Sequence, residues 1–136
     1  MNLTKFLVLI LGVIRMVLLK FLDYQEHTSE YGTHWNFFVT LFFTWLVADV
    51  VHYSCPRIII SYLSIATLVI YQYMLSTTDL TNYIFNANRD NFFSSNREGI
   101  LSLFGCIPMY LLTEVFSYSY FFIKVEEGIL IDTSII

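Results

Sequence analysis

The sequence predicts an all-α, multi-pass membrane helical bundle of about four transmembrane helices, as one part of a larger bundle. Composition is the first observation behind this. Of 136 residues, 57% are hydrophobic and only 13% charged, where a soluble domain carries about 25% charge. The second is segmentation: apolar stretches cover residues 3–22, 37–54, 58–75 and 96–123, each near the roughly 20 helical residues that cross a bilayer core. Third, ten tyrosines and thirteen phenylalanines suit a chain whose aromatic rings anchor at the lipid–water boundary. In lipid, unpaired backbone groups are costly, so each segment is expected to be helix and not strand.

The first segment contains FLVLILGVI at 6–14, which has the look of a signal-peptide core. Arg15 and Lys20 follow with no small-residue cleavage site, so a retained helix is expected. Cys55-Pro56 separates the second segment from the third, because proline lacks an N–H and disfavours helix just before it. Residues 76–95 read as a polar loop, with Asn86 and Asn88 marking a turn. Ser95 and Glu98 have the spacing of a capping box, which starts the last segment near Asn96. Pro108 is expected to kink that helix. Lys5, Arg57 and Lys124 fall on one side of the membrane and Lys20, Arg89 and Arg97 on the other, a tie that sets no orientation. A net charge of −4 with no basic patch argues against a nucleic-acid partner. Cys55 and Cys106 have no metal or redox spacing and read as small apolar fillers.

Residues 23–36, DYQEHTSEYGTHWN, form a polar signature between two oily segments. Lys20, Asp23, His27, Glu30 and His34 follow one another at steps of three and four. On a continuous helix they occupy an arc of roughly 80°. Each histidine then has a carboxylate one turn before it, which favours the imidazolium and orients the ring. A base poised near neutrality contributes about 10²–10⁴-fold in rate. His27, Glu30 and His34 are therefore candidate catalytic groups. The plainer reading is a solvated helix end whose pairs contribute about 0.3–0.5 kcal/mol each. A divalent ion held by the two histidines and two acids is a third reading, although the paired Glu-x-x-His pattern of di-iron bundles is missing. Gly32 is costly inside a helix; a break there would leave His34, Trp35 and Asn36 to open a new element. Deeper in the spans, Asp49 and His52 could share a proton, and Arg15 could meet Glu114 as a buried ion pair. Tyr62, Tyr71 and Tyr73 read as interface anchors.

The string DYQEHTSEYGTHWNFF at 23–38 resembles the signature of the PIG-W-type inositol acyltransferases of glycosylphosphatidylinositol (GPI) anchor synthesis. YIFNANRDNFFSSNREGILSLFG at 83–105 resembles a second block of that family. Gly12 and Arg15 also stand where the family has a Gly and an Arg before the signature. The resemblance covers about residues 10–110. It implies a multi-pass endoplasmic-reticulum membrane enzyme without a bound cofactor or metal. It implies transfer of a fatty acyl chain, usually palmitoyl, from acyl-CoA to the inositol of glucosaminyl-phosphatidylinositol. An inositol hydroxyl must lose a proton as it attacks the thioester. His27 or His34, oriented by Asp23 or Glu30, suits that step. Lys20, Asp23, Trp35, Asn36, Asn96 and Arg97 are the candidate substrate-binding residues, with Lys20 and Arg97 meeting phosphate.

The family also carries an upstream block resembling Asp-Phe-x-Ile-Phe-Pro-Arg-Arg-Phe-Ala-Lys, whose Asp and Lys are candidates for the catalytic pair. Nothing in this chain matches it, so those roles pass to no residue here. The expectation is an incomplete enzyme, with residues 23–36 lining and supporting the pocket. Two further readings stand beside it. One is a small non-enzymatic membrane protein that binds a lipid or a partner through the charged stripe. The other is a metal-dependent membrane oxidase.

Overall fold

A computed structural model describes residues 3–22 and 31–126, with no strand among them. Four long helices form: α1 (Leu3–Phe21), α2 (Phe37–Ser54), α3 (Arg57–Thr77) and, last in the chain, α6 (Arg97–Glu126). Two short ones, α4 (Leu80–Asn86) and α5 (Phe92–Ser95), lie between α3 and α6. The long helices pack in a row. α1 lies on α2, α2 on α6, and α6 on α3, the last being the most extensive contact.

Among the described residues three helices are long and apolar enough to cross a membrane: Phe37–Ser54, Arg57–Thr77 and Arg97–Phe122. The fourth expected span, α1, is helical, but Lys5, Arg15 and Lys20 punctuate its nineteen residues. By that measure of length and composition α1 is not among the crossing helices of the described residues; it packs against α2 as a helix carrying three cations. The buried apolar centre is small: Ala48, Ile60 and Leu111, with Val51, Cys55, Ile107 and Val115 packed against them. Large side chains such as Val17, Tyr62, Val69 and Phe116 are exposed. In water that would be ruinous, but in a bilayer lipid tails solvate such faces and small residues make the helix contacts. Gly12 is one: a Cβ there would sit 3.2 Å from Val39 and 3.3 Å from Phe38 of the facing helix.

The α2–α3 corner follows from its sequence. Cys55 takes extended backbone and Pro56 caps α3, accepting from Ile59 and Ile60 through its carbonyl. The 76–95 stretch departs from a plain loop. Thr78 ends α3, α4 follows, and Asn91 opens α5 with a reciprocal capping box to Ser94. The box therefore falls at Asn91–Ser94 and not at Ser95–Glu98. Ser95 closes α5, and the Glu98 carboxylate is engaged elsewhere. Pro108 lies inside continuous helix in α6.

Candidate functional site

The C-terminal end of α1 and the N-terminal ends of α2 and α6 lie at one end of the bundle, where residues 31–36 meet residues 89–99. Gly32 has φ of +97°, a conformation open to glycine but rarely to other residues. A Cβ there would also lie 2.5 Å from the Ser95 carbonyl oxygen. This turn lays the chain on the end of α5. The Ser95 carbonyl, one of the orphan acceptors of a helix end, accepts from Thr33 N–H (2.9 Å), Thr33 Oγ1 (3.3 Å) and Arg89 Nη1 (3.0 Å). Beside it, the His34 N–H donates to Asn96 Oδ1 (2.7 Å), while Asn96 Nδ2 donates to the Phe92 carbonyl (2.8 Å).

Asn36 is fully buried and does two jobs. Its Oδ1 caps α2 by accepting from Val39 N–H at 3.2 Å, and its Nδ2 donates to the Gly12 carbonyl at 2.9 Å. The first joins Asn36 to its own helix, the second to α1. Trp35 stacks on Phe43, with ring centroids 5.5 Å apart, and donates from Nε1 to Thr40 Oγ1 at 2.8 Å. Gly99 makes room for that indole: a Cβ at 99 would fall 2.2 Å from Trp35 Cδ1.

Arg97 is 3% exposed. Its guanidinium donates to the carbonyls of Ile84 (2.7 Å), Asn88 (3.1 Å) and Ser94 (3.2 Å) and lies 5.4 Å from the centre of the Tyr83 ring. Glu98, also buried, takes Arg89 in a two-pronged ion pair and stands 3.8 Å from Arg97 Nε. A buried charge is tolerated when it is paired and hydrogen-bonded, and both conditions hold here.

The sequence-derived candidates therefore separate. Trp35, Asn36, Asn96 and Arg97 are brought together, but with their polar atoms engaged inside the fold. His34 is brought to the same place and remains exposed, its backbone held by Asn96. Lys20 is exposed at the end of α1. Asp23, His27 and Glu30 lie outside the described residues, so the proposed stripe is represented only by its two ends. Among the described residues no three metal-ligating side chains group together.

At the opposite end, two expected pairings are replaced by others. Asp49 does not partner His52 but receives Lys5 from α1, and His52 Nε2 meets Glu114 Oε2 of α6 at 2.8 Å. Arg15 is exposed and does not meet Glu114. The sequence reading missed Arg89, Gly99 and Thr40. Only the glycine carried a signal: it is an isolated Gly at a helix start, which marks a close approach.

Taken together, these features define a membrane-embedded helical bundle with a hydrogen-bonded polar mouth at one end. The chain belongs to the GWT1 family, whose model matches residues 2–128. It is 43% identical over 104 residues to the phosphatidylinositol-glycan biosynthesis class W protein of Dictyostelium discoideum, covering 76% of this chain and 21% of that one. It is 44% identical over 109 residues to GPI-anchored wall transfer protein 1 of Saccharomyces cerevisiae, with coverage of 76% and 21%. The corresponding protein of Yarrowia lipolytica is 44% identical over 108 residues, with coverage of 78% and 23%. The chain spans about a fifth of the length of these relatives.

Proposed function

We propose that this chain is part of a GPI-anchor biosynthesis enzyme of the endoplasmic-reticulum membrane. The enzyme moves a fatty acyl chain, palmitoyl in the simplest case, from acyl-CoA to the inositol of glucosaminyl-phosphatidylinositol. The relatives' names support the pathway. One geometric observation carries the assignment of roles: the polar mouth hydrogen-bonds the backbone of His34 through Asn96 while leaving its side chain exposed. A base on a fixed backbone at the bilayer edge suits removal of a proton from a lipid-borne hydroxyl. In this reading His34, together with His27 and Glu30, works at the hydroxyl. Lys20, with Asp23 near it in the chain, meets the polar head group. Asn96, Asn36, Trp35 and Arg97 are positioning residues that hold the mouth in shape, since their own donors are engaged within it.

The test is a chimera in which these residues replace the matching fifth of the Saccharomyces cerevisiae relative, expressed in cells lacking that protein. Acyl-inositol lipid should reappear on a chromatogram. His34→Ala in the chimera should lower it about 100-fold, the low end of what one general base contributes, with membrane levels unchanged. Undiminished product would remove His34 from the reaction. A chimera present in the membrane that forms no product would count against acyl transfer itself.

A further inference from the structure

The end of the bundle away from His34 holds a cavity of about 570 Å³ between the α2–α3 corner and α6, lined by Asp49, His52, Arg57, Glu114 and Tyr118. From Arg97 to Glu114, α6 rises about 26 Å, close to the roughly 30 Å of a bilayer core. The cavity thus opens at the opposite membrane face from the polar mouth. Its two carboxylates each have a base already, Lys5 for Asp49 and His52 for Glu114. Arg57 differs. Its guanidinium carbon lies over Tyr118, 3.6 Å from the ring centre. Among the described residues it makes no ion pair or side-chain hydrogen bond. The ring contact engages the cation's face and leaves its N–H groups, which bind phosphate, without an acceptor among the described residues.

A second polar group without a partner lies below it. Ser64, seven residues along α3 and about 10 Å deeper, is 2% exposed, and its Oγ has no hydrogen-bond partner. Neighbouring Ser61 and Thr67 return their hydroxyls to the carbonyl four residues back, but Ser64 does not. It lines a mostly apolar crevice of about 260 Å³ between α3 and α6. That crevice shares Thr67 and Phe104 with a further apolar cavity of about 360 Å³ reaching Tyr71 and Met74. Pro108, on the same wall, offers no N–H to the Phe104 carbonyl.

We infer that the α3–α6 seam is a binding site for one glycerophospholipid. Its phosphate sits on the Arg57 guanidinium, an ester carbonyl accepts from Ser64 Oγ, and one acyl chain lies along the apolar crevices towards Met74. Along α3 the order of chemistry is cation, the buried Ile60 packed with Leu111 between the two cavities, a lone hydroxyl donor, then hydrocarbon. The site is independent of the acyl-transfer reading, because it concerns binding alone and lies at the other end from His34.

The experiment measures lipid binding to the 136-residue chain in detergent micelles by native mass spectrometry, with phosphatidylglycerol as the probe. Arg57→Gln should weaken binding about tenfold or more, as for loss of a charge-assisted hydrogen bond. Ser64→Ala should weaken it about threefold, the low range for a neutral one. Arg15→Gln, exposed on α1, should bind like the parent. Diacylglycerol, which keeps the esters and chains but lacks phosphate, should bind as weakly as phosphatidylglycerol binds Arg57→Gln. Undiminished binding by Arg57→Gln overturns the site. Displacement of the lipid by inorganic phosphate makes it a soluble-anion site and overturns the lipid assignment. Unchanged binding by Ser64→Ala removes the ester contact. A second measurement needs no change to the site's own residues. Cys55 lines the cavity, so in Cys106→Ser protein the lipid should slow maleimide labelling of Cys55. An unchanged labelling rate also overturns the proposal.

Discussion

At the mouth end, Asn36, Asn96, Arg97 and Glu98 are each less than a tenth exposed, and every one has its hydrogen-bonding partners inside the protein. At the far end, the pairs Lys5–Asp49 and His52–Glu114 keep much of their surface open, with 57% of the Asp49 side chain and 47% of the Glu114 side chain exposed. Similar side chains thus have opposite consequences. Removing a partner at the mouth strands a buried polar group, and nothing replaces it. At the far end, water or a lipid head group can take the vacated place. The buried polar residues at the mouth therefore act as architecture, unlike the exposed His34 beside them, and the pairs at the far end remain open to ligands.

The largest expected effect tests the mouth. Glu98→Ala leaves the buried Arg97 and the partly buried Arg89 without their carboxylate. It should cost about 3–5 kcal/mol, read as a fall in the thermal unfolding midpoint of the chain in detergent. A loss below about 1 kcal/mol, the range of an exposed pair, would erase the contrast. Next in size is Gly99→Ala, which drives a methyl into the Trp35 ring. About 1–3 kcal/mol of overpacking is expected, with a change in tryptophan emission as the Trp35–Phe43 stack opens. Unchanged emission and stability would show that the 31–36 segment does not lie against α6. The smallest effect is at the far end. His52→Ala should change stability by no more than about 1 kcal/mol, since both side chains of its pair are partly exposed. A larger loss would make that end architectural too.

The helical membrane class was legible because it depends on sums over long windows. The corner at Cys55-Pro56 was legible because proline acts locally. Partner choice was not. Ser95 and Glu98 have capping-box spacing, yet Asn91 and Ser94 make the box, because Arg89 claims the Glu98 carboxylate while the Ser95 N–H donates to the Asn91 carbonyl and its Oγ to the Arg89 carbonyl. Asp49 and His52 stand one turn apart on α2, yet each finds its partner on a different helix. Of the candidate site residues, Asn36, Asn96, Trp35 and Arg97 were singled out by their place in the two blocks. That their polar atoms turn inward was invisible, since burial depends on which segment arrives from elsewhere.

By itself the sequence determined that the chain is oily helix punctuated by a few polar stretches. Backbone groups in lipid must be satisfied within each segment, and apolar side chains need no particular neighbour. Only the tertiary structure decided which polar groups are closed off and which stay open. A hydrogen bond or ion pair is made between atoms that residues sixty positions apart bring together, as His34 and Asn96 do, and no local spacing encodes that meeting.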